Sequence, residues 1–338
     1  MAARCAGWRA ILCGRQIGLL DVRERMRRRP VAWFFALALA IEVAVVALAL
    51  VTGAFDRLSA AQEAAGLAGR TDFVALGRLV VAEPGVSPDA VLVVLQPFSP
   101  DVAAFLVAVL AFGLVGAKRI ARGYRFWSGE VGWRRGLRAW GLMALTFVAM
   151  SLATAGLDAL FMPEGTWGWE LDLLSLGFPL VLLFSVFLDV GGVSEETGWR
   201  GFALPVLPGR MTPLAATLIV GVMWGVWHLP ARPDVLAGAY GLGGGAVLLG
   251  ILVVRFVFLS IVMTYFYNRV GGSTLIAIAM HGLHNDSVGL MGRITGGGYA
   301  PYVVSELALL VPILAVALGV LAVSGRKLGL GPPSATKW

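Results

Sequence analysis

Eight apolar runs dominate this chain, at about 31–53, 101–117, 139–162, 173–194, 213–229, 244–267, 273–292 and 302–323. A helix rises 1.5 Å per residue, so about 20 apolar residues cross a hydrocarbon core of roughly 30 Å. The run at 101–117 is short for a span, and the run at 213–229 is bounded by prolines. Lipid offers no hydrogen bonds to the backbone, so each crossing segment must satisfy its own. The expected fold is therefore all-α: a polytopic integral membrane protein with about eight transmembrane helices. Composition agrees, since only 14% of residues are charged, against about a quarter in a soluble domain.

The net charge of +7 raises the question of a nucleic-acid partner. Its distribution answers no. Residues 1–30 hold eight arginines and the 118–138 loop holds seven Lys/Arg. With the N-terminus in the cytoplasm and the spans alternating, 21 of the 27 basic residues fall on cytoplasmic segments. This is the positive-inside pattern, and it predicts a multi-pass cell-membrane protein with both termini cytoplasmic. The partners it implies are the lipid bilayer and its anionic headgroups. The first helix is too long for a signal-peptide core and lacks a small-residue cleavage site, so it reads as an uncleaved anchor. Cys5 and Cys13 both fall in the basic leader, where a disulfide is not expected. Arginine outnumbers lysine 24 to 3, a composition that points to a GC-rich bacterial genome.

Four regions emerge from this pattern: a basic cytoplasmic leader at 1–30, N-terminal transmembrane helices at 31–171, a chemically active region at 172–293, and a last helix with its cytoplasmic tail at 294–338. Within the second, residues 54–100 form the longest external segment. Its stretch from Leu58 to Leu79 reads as one surface helix, and Pro84, Pro88, Pro97 and Pro100 interrupt the remainder.

The chemistry is concentrated. All three histidines lie between His228 and His284, inside or at the end of apolar runs. An ionisable group at bilayer depth costs at least about 2.5–3.5 kcal/mol, so such residues face a bundle interior and serve a site. Glu196 and Arg200 are i and i+4, so they can pair along one helix face. Glu195 points about 100° away from Glu196, free for general-base work while its neighbour is neutralised. His228 closes the run Leu218–Trp227, and the Gly221–Gly225 pair one turn above it predicts close packing on a neighbouring helix. His281 and Asn285 are i and i+4 as well, two donors suited to a developing oxyanion or a metal ligand with its support. Asp286 is a partner for His284 or for Arg255.

The order Glu-Glu-x-x-x-Arg, then His, then His-x-x-x-Asn, across successive apolar helices, resembles the CPBP intramembrane proteases, also called the Abi or type II CAAX prenyl protease family. The resemblance covers about residues 172–293. Its first motif stands as Glu195, Glu196 and Arg200, and its last as His281 and Asn285. The second, usually Phe-x-x-x-His, reads Trp224-Gly-Val-Trp-His228 here.

The resemblance implies an eight-helix membrane fold with a cavity opening to the cytoplasm. It implies an endopeptidase hydrolysing a peptide bond in a membrane-associated, for example prenylated, protein. Glu195 would activate a water with help from His228, His281 and Asn285 would stabilise the tetrahedral intermediate, and Glu196 with Arg200 would hold the helix. A metalloprotease-like variant of this chemistry would use Glu195, His228 and His281 as zinc ligands around an open position, although no HExxH motif is present. Two other readings compete. One is a non-catalytic membrane scaffold or immunity protein of the same fold. The other is a transporter using Arg255, Glu42 or Asp189 as relay charges.

Overall fold

The computed structural model describes residues 22–67, 70, 72–169, 178–207, 211–294 and 299–330. The fold is helical apart from one short ribbon. Helix α1, Pro30–Thr52, has proline in its first turn and is closed by Gly53, whose φ of 69° suits glycine. Helices α2 (Ala54–Ala64), α3 (Phe73–Ala82) and α4 (Ser87–Leu95) then form a cap. It has a small core of its own, made of Leu58, Ala61, Leu79, Val86 and Ala90. The single helix expected from Leu58 to Leu79 is thus two. The break has a local cause: Gly66 adopts a φ of 66°, and Asp72 caps α3 by accepting from the Val74 and Ala75 amides at 3.0 and 2.8 Å.

Helices α5 (Ser99–Phe112) and α6 (Leu114–Ala121) divide the short apolar run at Gly113, whose φ of 68° and ψ of −161° are open to glycine. Helix α7 spans Trp133–Phe161, and strand β1 comes next at Trp167–Trp169. Helices α8 (Phe178–Leu188) and α9 (Val190–Glu196) meet at Asp189, and a π-turn occupies Thr197–Ala203. Then come α10 (Pro213–Trp227), α11 (Gly241–Arg269), α12 (Thr274–Met291), strand β2 (Gly292–Ile294) and α13 (Tyr299–Ser324). The two strands pair antiparallel, Trp167 opposite Ile294, and tie the loop after α7 to the end of α12.

This is an all-α polytopic membrane protein. Among the described residues four single helices are long and apolar enough to cross a membrane, or five if the bent pair Pro84–Leu95 and Ser99–Phe112 counts as one span. Of the other apolar runs, that at 101–117 is broken at Gly113 and that at 173–194 at Asp189, that at 213–229 forms the 15-residue α10 between prolines, and that at 273–292 forms the 18-residue α12. The Gly221–Gly225 pair does what its spacing predicts. A Cβ on either glycine would come within 2.8–2.9 Å of the Val257 or Val253 Cα, so the backbones of α10 and α11 approach closely. Arg255, for which the sequence suggests Asp286 as a partner, pairs with Glu306 of α13 at 3.3 Å. The Asp286 side chain lies outside the described residues.

Candidate active site

Asp189 sets the geometry. It interrupts the α8–α9 run because its side chain accepts from the Gly192 amide at 2.6 Å and caps α9. Its backbone also forms a bridge with Asp72 of the cap. From there α9 leans on α12, and only glycine permits the approach: a Cβ on Gly192 would lie 2.9 Å from the Ile278 carbonyl oxygen. The adjoining π-turn is fastened from outside. The Gly198 amide donates to Asp101 Oδ1 at 2.8 Å, and Thr197 shares a 2.5 Å hydrogen bond with the Tyr124 hydroxyl. Such turns recur at functional sites because they redirect side chains out of the α-helical register.

Glu195 and Glu196 end α9, both buried, and diverge as helical geometry requires. Glu196 takes Arg200 at 2.8 Å and His281 Nδ1 at 2.9 Å. The Arg200 guanidinium also donates to Ser260 at 3.1 Å and lies 4.2 Å over the Trp224 ring. Trp224 in turn donates its indole N–H to Glu195 Oε2 at 2.8 Å. One arginine therefore braces Glu196 directly and Glu195 through the indole. The other oxygen of Glu195 faces His281 Nε2 at 3.9 Å.

Asn285 completes a triangle. Its amide donates to Asp189 Oδ1 at 3.1 Å. A Cβ built on Gly191 would meet His281 Nε2 at 2.7 Å, Asn285 Nδ2 at 3.0 Å and Glu195 Oε1 at 3.1 Å. Three functional atoms thus surround one point on the glycine face. A cavity of about 320 Å³ borders this point, lined by Val190, Gly191 and Asn285 on one side and by Gln62, Arg70 and Gln96 of the cap region on the other.

His228 stands apart. It is half-buried at the end of α10, with Nδ1 against the Trp224 carbonyl oxygen at 2.9 Å and its ring stacked 4.0 Å from Phe256. No hydrogen bond or ion pair joins it to Glu195 among the described residues; Trp224, 5.9 Å away ring to ring, lies in contact with both. Nor, among the described residues, are three His, Cys, Asp or Glu side chains grouped so as to hold a metal ion. The trio Glu195, His228 and His281 therefore does not fit zinc as arranged. His284 turns the other way, its Nε2 lying 3.4 Å from Arg255.

Sequence reasoning misses three contributors. It weighs Asp189 only as a relay charge, although an aspartate ahead of Gly191, Gly192 and a glutamate pair is a helix-cap signal. It counts Trp224 as an aromatic, not as a donor. Gly191 carries no signal at all.

Comparison with known proteins finds similarity over the same part of the chain. A family model described as type II CAAX prenyl endopeptidase Rce1-like matches residues 175–286. The CAAX prenyl protease 2 of Methanococcus maripaludis is 30% identical over 86 residues, which is 25% of this chain and 29% of that protein. The chain thus matches under a third of that relative's length.

Proposed function

We propose that this chain, which belongs to the CPBP/CAAX prenyl protease family through residues 175–286, is an intramembrane endopeptidase that cleaves a membrane-associated polypeptide with a glutamate-activated water. The observation that carries this reading is the triangle of Glu195 Oε1, His281 Nε2 and Asn285 Nδ2, all within 3.1 Å of one point at a cavity wall.

In this scheme Glu195 is the general base. The indole holds Oε2, leaving Oε1 to take a proton from water as the water oxygen attacks the scissile carbonyl carbon. Negative charge then develops on the carbonyl oxygen, where the donors at hand are Asn285 Nδ2 and the Nε2–H of a His281 imidazolium whose Nδ1–H is held by Glu196. Such pre-aimed donors act at the moment of reaction without reorganisation. Collapse of the intermediate breaks the C–N bond, and Glu195 returns its proton to the leaving amine. Glu196 holds His281 by Nδ1, which is why Nε2 is the nitrogen aimed at the centre. His228 supports the site through Trp224 rather than by touching the water.

The test is cleavage of a prenylated or apolar peptide by purified protein in bilayer. Glu195→Gln keeps shape but cannot take the proton, so hydrolysis should fall by about 10²–10⁴-fold while peptide binding persists. Cleavage by this variant at the wild-type rate would remove Glu195 from the mechanism, and a wild type that binds but never cleaves would make the protein a scaffold. Hydrolysis should also continue in the presence of a chelator; loss restored by zinc would recast Glu195 and His281 as metal ligands.

A further inference from the structure

The basic segments of this chain meet on one face of the bundle. Arg23, at the described end of the leader, reaches to 3.8 Å from the position of a Cβ on Gly113, where α5 passes into α6 with its Lys118 and Arg119. The basic loop after α6 packs on the α11–α12 turn: the Thr274 amide donates to the Gly123 carbonyl at 2.8 Å, and Arg125 donates to the Gly271 carbonyl at 3.0 Å. The tail joins them there, since Asn268 donates to the Leu328 carbonyl at 2.9 Å, next to Arg326 and Lys327.

The cavity lies at the other end. Helix α1 leaves the basic face at Pro30 and runs 23 residues to Thr52, about 35 Å at 1.5 Å per residue. The cap begins immediately beyond it at Ala54, and Leu58, Gln62, Arg70, Asp72 and Leu76 of that cap line the cavity. Helix α12 gives the same answer. It starts on the basic face at Thr274 and rises about 16 Å before Asn285, which meets Asp189 and, through it, the Asp72 bridge.

Two expectations drawn from the sequence therefore exclude each other. Cytoplasmic termini and a cavity open to the cytoplasm cannot both hold, because the cavity is across the bundle from the basic segments. Lys and Arg near span ends set orientation, and the cap facing the cavity carries Asp56, Glu63, Asp72, Glu83 and Asp89 beside only Arg57, Arg70 and Arg78. We infer that the site is loaded from the external face of the membrane. Its substrate is then a membrane-anchored polypeptide whose scissile segment is presented outside the cell, entering between Gln62 and Leu76 of the cap on one side and Asn285 on the other. The substrate half of this inference rests on the protease reading; the orientation does not.

Thiol labelling separates the two. The sequence has two cysteines, Cys5 and Cys13, so a Cys5→Ser, Cys13→Ser background accepts single reporters. Glu63→Cys marks the exposed outer surface of the cap, Gln62→Cys the cavity, and Arg122→Cys the basic loop. In intact cells a membrane-impermeant maleimide should label the first two and leave the third until permeabilisation. Cap labelling that needs permeabilisation, or a loop thiol that reacts in intact cells, overturns the orientation. A Gln62→Cys thiol that never reacts overturns the entry route. In right-side-out vesicles, maleimide on Gln62→Cys should block cleavage of an externally added peptide; cleavage only of peptide trapped inside overturns external loading. Labelling is read whether or not anything is cleaved, so its failure and the failure of the Glu195 assay are distinct results.

Discussion

Replacing Gly191 with alanine would place a methyl carbon 2.7 Å from His281 Nε2, 3.0 Å from Asn285 Nδ2 and 3.1 Å from Glu195 Oε1. Non-bonded heavy atoms settle at about 3.5–4.0 Å, so the imidazole must retreat by roughly 0.8 Å and the other two by roughly half that. Neither donor is loose. His281 is tied to Glu196 at 2.9 Å and Asn285 to Asp189 at 3.1 Å. Overpacking of this kind costs about 1–3 kcal/mol, while the glycine-to-alanine exchange in α9 returns up to about 1 kcal/mol of helix propensity. Net stability should thus change little. Catalysis is the more sensitive quantity, because a misplacement of about 1 Å can cost about 10²-fold. The expected result is peptide cleavage reduced by about 10²-fold in a protein whose thermal unfolding in detergent is shifted only modestly. Gly141→Ala, at a position where a Cβ meets nothing within 4 Å, should leave cleavage unchanged. Wild-type turnover by Gly191→Ala would mean that the reaction does not occur where these three atoms converge.

Two further substitutions probe the supports. Trp224→Phe restores the aromatic usual at this place in the family and removes the indole donor at 2.8 Å from Glu195; a hydrogen bond to a carboxylate contributes about 1.5–3 kcal/mol, so cleavage should fall by roughly 10–10²-fold with the fold intact, and unchanged turnover would deny the indole any part in holding Glu195. Arg200→Ala strips Glu196 of its buried partner and Trp224 of the guanidinium above it. Breaking a buried pair costs about 3–5 kcal/mol, so the yield of folded protein should drop along with activity; normal yield and unfolding temperature with activity alone lost would point to substrate contact instead.

What the sequence determined by itself is everything carried by local spacing. The apolar runs specify helices because lipid leaves the backbone no other partner. Glu196 with Arg200 is an i, i+4 pair, which helical geometry brings to one face whatever surrounds it, and the Gly221–Gly225 seam and the clustered arginines are legible in the same way. The tertiary structure decided what depends on distant residues meeting. His281 is set between two glutamates 85 and 86 positions earlier, Asn285 is held by Asp189, and Asp189 is bridged to Asp72 in the cap. No periodicity encodes those encounters. They arise because α9 can lie against α12 only where Gly191 and Gly192 offer no side chain, and because a π-turn re-aims the side chains from Thr197 to Ala203. The face on which the cavity opens belongs to the same class. Charge spacing predicts an orientation, but only the packing of the cap over Asn285 puts the site and the basic segments at opposite ends of the helices.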